Sequence, residues 1–146
     1  MLEIKISQKG LQKVQVDLRG TIANASNLRP PLMKSVNDMI RSIHNNFQES
    51  GRPEKWTPLA ASTLKQKRRL GYSSKPLIRT GALRNSVTGS VRGNLLAIGT
   101  SVEYAKFHQL GTKFIPSRPF LIFQSEDIDQ INFLVLDYLT KKSGSL

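Results

Sequence analysis

The spacing of apolar residues changes character several times along the chain, and each change marks an element. Leu2, Ile4 and Ile6 alternate with polar residues, the period of a half-buried strand, which is expected to add an edge to a hairpin further along. From Gln8 the period shifts. Leu11, Val14, Leu18, Ile22 and Ala25 recur at three and four residues and predict a first helix, with Gly10 and Gly20 weakening it. Pro30-Pro31 cannot continue that helix but can open a second. The second carries Leu32, Val36, Met39, Ile40, Ile43 and Phe47 on one face, and Gly51 and Pro53 end it. Thr57-Pro58 reads as the N-cap and first position of a short helix reaching about Leu70, where Gly71 stops it. The polar, serine-rich stretch from Gly71 to Lys75 is expected to be a mobile loop.

The stretch from Thr80 to Leu121 organises the rest. Leu77 and Leu83 are expected to anchor a tight turn and short helix around Thr80-Gly81-Ala82. Gly93-Asn94 suits a two-residue hairpin turn, which sets Val91 opposite Leu96 and Gly89 opposite Ile98. A slip of one residue would scatter the apolar positions over both faces. Ser101 can cap a helix with Glu103 in its first turn, with Tyr104, Phe107 and His108 on one side, before Gly111 terminates it. Thr112 to Pro119 reads as an extended arm, and Phe120 to Phe123 as a buried strand or helix start. Ser125, Glu126 and Asp127 open a last helix reaching about Lys142. Its stripe is Ile128, Ile131, Leu134, Val135, Tyr138 and Leu139, which leaves Phe133 and Leu136 to project elsewhere. A helix apolar on two sides in a domain this small points to a neighbouring subunit. The expected fold class is α+β, a small antiparallel sheet with a hairpin near 86–100, packed against long N-terminal helices and a C-terminal helix, in one domain over 1–146.

Composition changes this picture chiefly through charge. The net charge is +12, and from Arg52 to Arg92 ten Lys or Arg face one acid, Glu54. A field of that sign attracts polyanions such as DNA, with an affinity that salt weakens. The longest apolar runs, such as Phe133 to Leu136, fall far short of the roughly 20 residues needed to span a bilayer, so no membrane is expected. The first residues lack the layout of a secretory signal. Without cysteine, disulfides and thiolate metal sites are excluded.

Catalytic chemistry finds no footing. His44 and His108 are the only histidines, neither in a nucleophile motif, and no glycine opens a phosphate-binding loop. Glu126, Asp127 and Asp129 are explained by the dipole of the helix they start. No catalytic, cofactor or metal site is expected, and the chain is read as a non-enzyme.

A series of short motifs carries a resemblance over about residues 30–140. Phe47 is followed by Trp56-Thr57-Pro58-Leu59, Thr63 and Lys67, then Leu77-Ile78-Arg79-Thr80-Gly81-Ala82-Leu83-Arg84-Asn85-Ser86. Gly99-Thr100, Tyr104-Ala105, His108-Gln109-Leu110-Gly111 and Arg118-Pro119-Phe120-Leu121 come next, before a last helix. This order resembles the phage virion morphogenesis family, which includes the tail completion proteins of Mu-like phages. Gly51-Arg52-Pro53-Glu54-Lys55 departs from it in lacking an aspartate-glycine turn. The resemblance implies a structural protein of the virion, at the tail or head-tail junction and in the host cytoplasm during assembly, forming a ring of copies through which DNA passes. Its neighbours would be other neck and tail proteins: a connector or head completion protein, and a tail terminator or tail tube.

Under that implication Lys65, Lys67, Arg68, Arg69, Arg79 and Arg84 are candidates to line a DNA channel without reading sequence. Phe133 and Leu136, with Lys113, Phe114 and Ile115 of the arm, are candidates for the subunit interface. Trp56, Leu59, Thr80, Gly81, Leu83, Tyr104, His108, Gly111, Arg118 and Phe120 are motif residues, read first as core and turn positions. The competing reading is a non-enzymatic basic nucleic-acid-binding protein.

Overall fold

The computed structural model describes residues 3–8, 13–19 and 27–144. Met1, Leu2, Gly10, Leu11, Gly20, Ile22 and Ala25, on which the first two sequence patterns partly rest, lie outside the described residues. Four strands form one antiparallel sheet: β1 (Glu3–Gln8), β2 (Lys13–Arg19), β3 (Thr88–Arg92) and β4 (Leu95–Gly99), ordered β1-β2-β4-β3. Among the described residues five helices accompany it: α1 (Arg29–Gln48), α2 (Ala61–Arg69), α3 (Ala82–Asn85), α4 (Ala105–Leu110) and α5 (Ser125–Gly144). The α+β class holds, with the hairpin where the turn chemistry placed it.

The N-terminal third differs from expectation. The helix expected from Gln8 is absent among the described residues; Lys13–Arg19 is a strand, with Val14 opposite Ile98 and Val16 opposite Leu96. Spacing alone was ambiguous there, because Val14, Val16 and Leu18 also alternate, and β-branched residues suit a pleated sheet better than a helix. Among the described residues of this third, the helix that packs on the sheet is the long α1. The first strand is an edge, as expected, but it reaches the hairpin through β2.

The hairpin register is Val91 opposite Leu96 and Gly89 opposite Ile98, with Gly93 in the left-handed region at φ 54°. Asn94 Oδ1 accepts the amide of Leu28, which ties the turn to the start of α1. Helix α1 begins on Pro30-Pro31 and buries Leu32, Met39, Ile43 and Phe47 against the sheet and α5. Gly89 marks the closest approach: a Cβ there would meet Val36 Cγ1 and Ile98 Cδ1, each at 2.7 Å. The core continues through Trp56, Leu83, Val91, Leu96, Ile98, Phe120, Leu121, Ile131 and Val135. Phe47 joins its halves, its ring tilted by 47° against Phe120 at 5.2 Å and edge-on to Trp56 at 6.0 Å. Among the described residues no helix is long and apolar enough to cross a membrane.

Helix starts were the least legible feature. α2 begins at Ala61, three residues after Pro58, so Thr57 and Pro58 are not its cap. Their carbonyls are instead held by Arg118. α4 begins after Tyr104 rather than after Ser101. At Thr57 the local capping preference gives way to a distant partner, the Arg118 guanidinium, whereas the bonds at the start of α4 are local, from the Val102 amide to Thr100 Oγ1 and from the Ala105 amide to the Val102 carbonyl. The expected arm from Thr112 is a compact turn. The Thr112 amide donates to the Ile115 carbonyl at 2.8 Å, and Thr112 Oγ1 accepts the amides of Phe114 and Ile115. This folds the segment back and leaves Phe114 at the tip, 88% exposed.

Candidate functional site

Residues 118–124 run buried between α1 and α4 with neither ladder nor helix, so their backbone groups need partners from side chains. Gln109 Oε1 accepts the amides of both Phe120 and Leu121 at 3.0 Å. Asn46 Nδ2 donates to the carbonyls of Phe120 and Ile122 at 2.8 and 3.0 Å. Asn46 Oδ1 in turn accepts from Arg52 Nε, and Arg52 Nη2 reaches the Ser42 carbonyl and hydroxyl. Ser42 Oγ donates to Asp127 Oδ2, which also accepts the Gln124 amide and so caps α5. Arg52 thus spends its charge internally. The peptide preceding Pro53 is cis.

Two motifs far apart in sequence dock on this lattice. Trp56 Nε1 donates to the Pro119 carbonyl at 3.0 Å, and Arg118 donates back through Nε to Thr57 O at 2.9 Å and through Nη2 to Pro58 O at 3.2 Å. With that clamp closed, α2, the 71–80 loop, α3 and α4 surround an open cleft of about 510 Å³. Its lining brings together Leu59, Lys67, Arg79, Thr80, Leu83, Tyr104, His108 and Arg118, all singled out from sequence, with Thr63, Gln66, Leu70, Tyr72, Leu77, Ile78 and Ala82. Tyr104 was read as a core position and is instead a half-exposed lip of the cleft, 46% accessible.

The electrostatics of this cleft are one-sided. Lys67 Nζ donates to the carbonyls of Lys75 and Ile78 at 2.6 and 2.9 Å, so the loop expected to be mobile is tied down, and Lys75 Nζ adds a bond to the Gln48 carbonyl. Burial pushes the Lys67 ammonium below its ordinary pKa, and the Arg118 and Arg79 charges push it the same way. Burial, then Arg118, lowers His108, whose buried Nδ1 has no partner. Arg79 lies over the Tyr72 ring at 5.0 Å. Among the described residues no acid lines the cleft. Among the described residues the ion pairs are Arg41 with Asp38, Lys55 with Glu49 and Lys141 with Asp137, all elsewhere.

The remaining candidates divide by helix face. On α2, Thr63, Gln66, Lys67 and Leu70 share the cleft side, while Lys65, Arg68 and Arg69 lie on the opposite, exposed side. α2 buries no residue. Arg84 stands apart, half-buried with Nε unpartnered, beside a carbonyl that accepts from His44 Nε2 at 3.0 Å. His44 is thereby structural, and burial lowers its pKa. Trp56, Leu83 and Phe120 are core. Gly81 and Gly111 take φ 85° and 79°, and Thr80 is exposed before the turn. Phe133 and Leu136 are 62% and 46% exposed, while Ile131 and Val135 of the same helix are fully buried. No group of three His, Asp or Glu that could hold a metal occurs among the described residues.

Asn46, Gln109, Gln124 and Ser42 had no signal of their own in the sequence. Asn46 precedes Phe47 in an apolar stripe and could only have been noticed as a polar residue where a hydrophobic one fits.

The profile of the phage virion morphogenesis family matches residues 9–140. The chain is 34% identical to the Mu-like prophage FluMu G protein 2 of Haemophilus influenzae, over 94% of this chain and 96% of that one. It is likewise 34% identical to the Mu-like prophage FluMu G protein 1 of the same organism, over 71% of this chain and 75% of that one. No solved structure matches.

Proposed function

Since this chain belongs to the phage virion morphogenesis family, we propose that its place in the virion is at the tail end or head-tail junction, as a non-enzymatic tail completion component. It assembles there as a ring of identical subunits around the DNA path. Membership carries the broader statement, a structural role in building a phage particle. The finer reading rests on one observation: a single chain leaves two dissimilar surfaces without partners. One is the outer face of α5 with Phe133 and Leu136; the other is the basic side formed by α2 and the cleft. A closed ring needs two different complementary patches on each subunit, whereas a two-fold dimer needs one self-complementary patch. Large exposed apolar side chains on an otherwise packed helix are the mark of such a contact.

The exposed cations of α2, Lys65, Arg68 and Arg69, suit a lumen facing DNA, where charge without base contacts allows passage of any sequence. The neighbouring neck and tail proteins of the particle complete the list of partners. Sedimentation velocity and electron microscopy of the purified protein, alone and with tail tubes, test the reading. Closed rings or capped tubes are the expected result, and a monomer under all conditions defeats it.

A further inference from the structure

The two unpartnered surfaces are complementary in charge as well as in apolar character. On α5 the exposed side carries Glu126 and Asp129 two turns before Phe133 and Leu136 respectively; at 3.6 residues per turn all four share one face, opposite the buried Ile131 and Val135. The cleft presents the reverse. Lys67, Arg79 and Arg118 face it with no acid among the described residues of the lining, and its lips are Leu70 and Tyr104, 47% and 46% exposed. No residue of α5 lines the cleft, so the two are separate surfaces of one subunit. Like charges gathered in a partly desolvated hollow repel one another and lower stability unless an anion joins them.

We propose that the cleft of one copy receives the outer face of α5 from the next copy. The Glu126 and Asp129 carboxylates approach Arg79 and its neighbouring cations, and Phe133 and Leu136 pack on Leu70 and Tyr104. The proposal rests on the ring reading and names the contact that would close the ring. A heterologous contact of this kind repeats head to tail, because each subunit carries both halves. A duplex fits the hollow less well than a helix does. Its charge is spread along a convex backbone, and the exposed cations on the far side of α2 meet such a surface better than a cleft with apolar lips.

Arg79, Glu126 and Asp129 are exposed, so charge reversal there leaves the core untouched. Arg79→Glu, and separately Glu126→Lys with Asp129→Lys, should each raise the concentration for half-assembly about tenfold or more while the far-UV circular dichroism of the protein stays that of wild type. Combining all three reversals should restore assembly, since the swapped charges again oppose. The chain has no cysteine, so Thr63→Cys and Gln130→Cys can be introduced cleanly, and oxidation should yield a covalent ladder of copies. If wild-type protein never assembles, the ring reading falls and this contact with it. If wild-type rings form but the reversals leave them intact and no ladder appears, the contact alone is overturned. Loss of DNA retention by Arg79→Glu with assembly unchanged also overturns it.

Discussion

The indole nitrogen of Trp56 donates to the carbonyl of Pro119, 63 residues away, across 3.0 Å. Arg118 answers in the opposite direction through two bonds to the carbonyls after Trp56. The pair locks the start of the α2 segment to the chain leaving α4, and the cleft lies inside that lock. Trp56→Phe keeps the ring against Phe47 but removes the bond. It should lower stability by about 1–2 kcal/mol in chemical denaturation and leave the oligomeric state unchanged.

Gln109 satisfies two buried amides with one oxygen. Gln109→Leu strands both and should cost about 2–6 kcal/mol, since each buried unpaired group is worth about 1–3. Gln109→Glu keeps the acceptor but buries a carboxylate and loses the Nε2 bond to the Leu121 carbonyl, so its loss should shrink as pH is lowered and the carboxyl protonates, unlike that of Gln109→Leu. A urea titration of the two variants side by side as pH is lowered reads the difference, and equal losses throughout would show that volume, not hydrogen bonding, matters there.

Burial lowers the pKa of both His44 and His108. In the unfolded chain each takes up a proton near pH 6.5, whereas the folded chain resists it. The unfolded state therefore binds more protons below that pH, and stability falls as pH drops. The contribution is present above about 6.5 and is lost as pH falls through the folded values. Denaturation midpoints should decline from pH 7.5 to 5.5, and His44→Gln with His108→Asn should flatten the slope.

Gly89 sits where α1 crosses the hairpin, 2.7 Å from two methyl groups for any added Cβ. Gly89→Ala should destabilise by about 1–3 kcal/mol, the usual range for overpacking. A calorimetric melting point equal to wild type would contradict the packing described.

The basic residues of α2 should separate by face. Lys65→Ser, Arg68→Ser and Arg69→Ser together should leave the fold intact and weaken retention of DNA of any sequence, with a shallower salt dependence. Lys67→Ser removes two bonds to carbonyls of the 71–80 loop and should cost about 1–2 kcal/mol of stability. Gel shift and thermal melting on the two variants distinguish the roles.

What the sequence made legible was local. The hairpin register around Gly93-Asn94, the proline start of α1 and the surplus apolar side of α5 all follow from the spacing and turn chemistry of neighbouring residues. The strand at Lys13–Arg19 was missed because Val14 and Leu18 satisfy both helical and strand periods, and its partner β4 lies some 80 residues on. The capping role given to Thr57 failed for a related reason, since the carbonyls of Thr57 and Pro58 serve Arg118, some 60 residues on, while the start of α4 is shifted by local bonds at Thr100 and Val102. The cleft was half visible. Its residues were named as members of separate motifs, but only the Trp56 and Arg118 bonds show that the motifs share one hollow.

Helix α2 is nine residues long and buries none of them. Isolated helices shorter than about 12–15 residues barely persist in water. This wall of the cleft therefore leans on the Lys67 tether and on whatever lies against it, while the opposite wall is anchored in the core through Leu83 and Ala105. The hollow thus has one wall rooted in the hydrophobic core and one held chiefly by polar bonds at its edge.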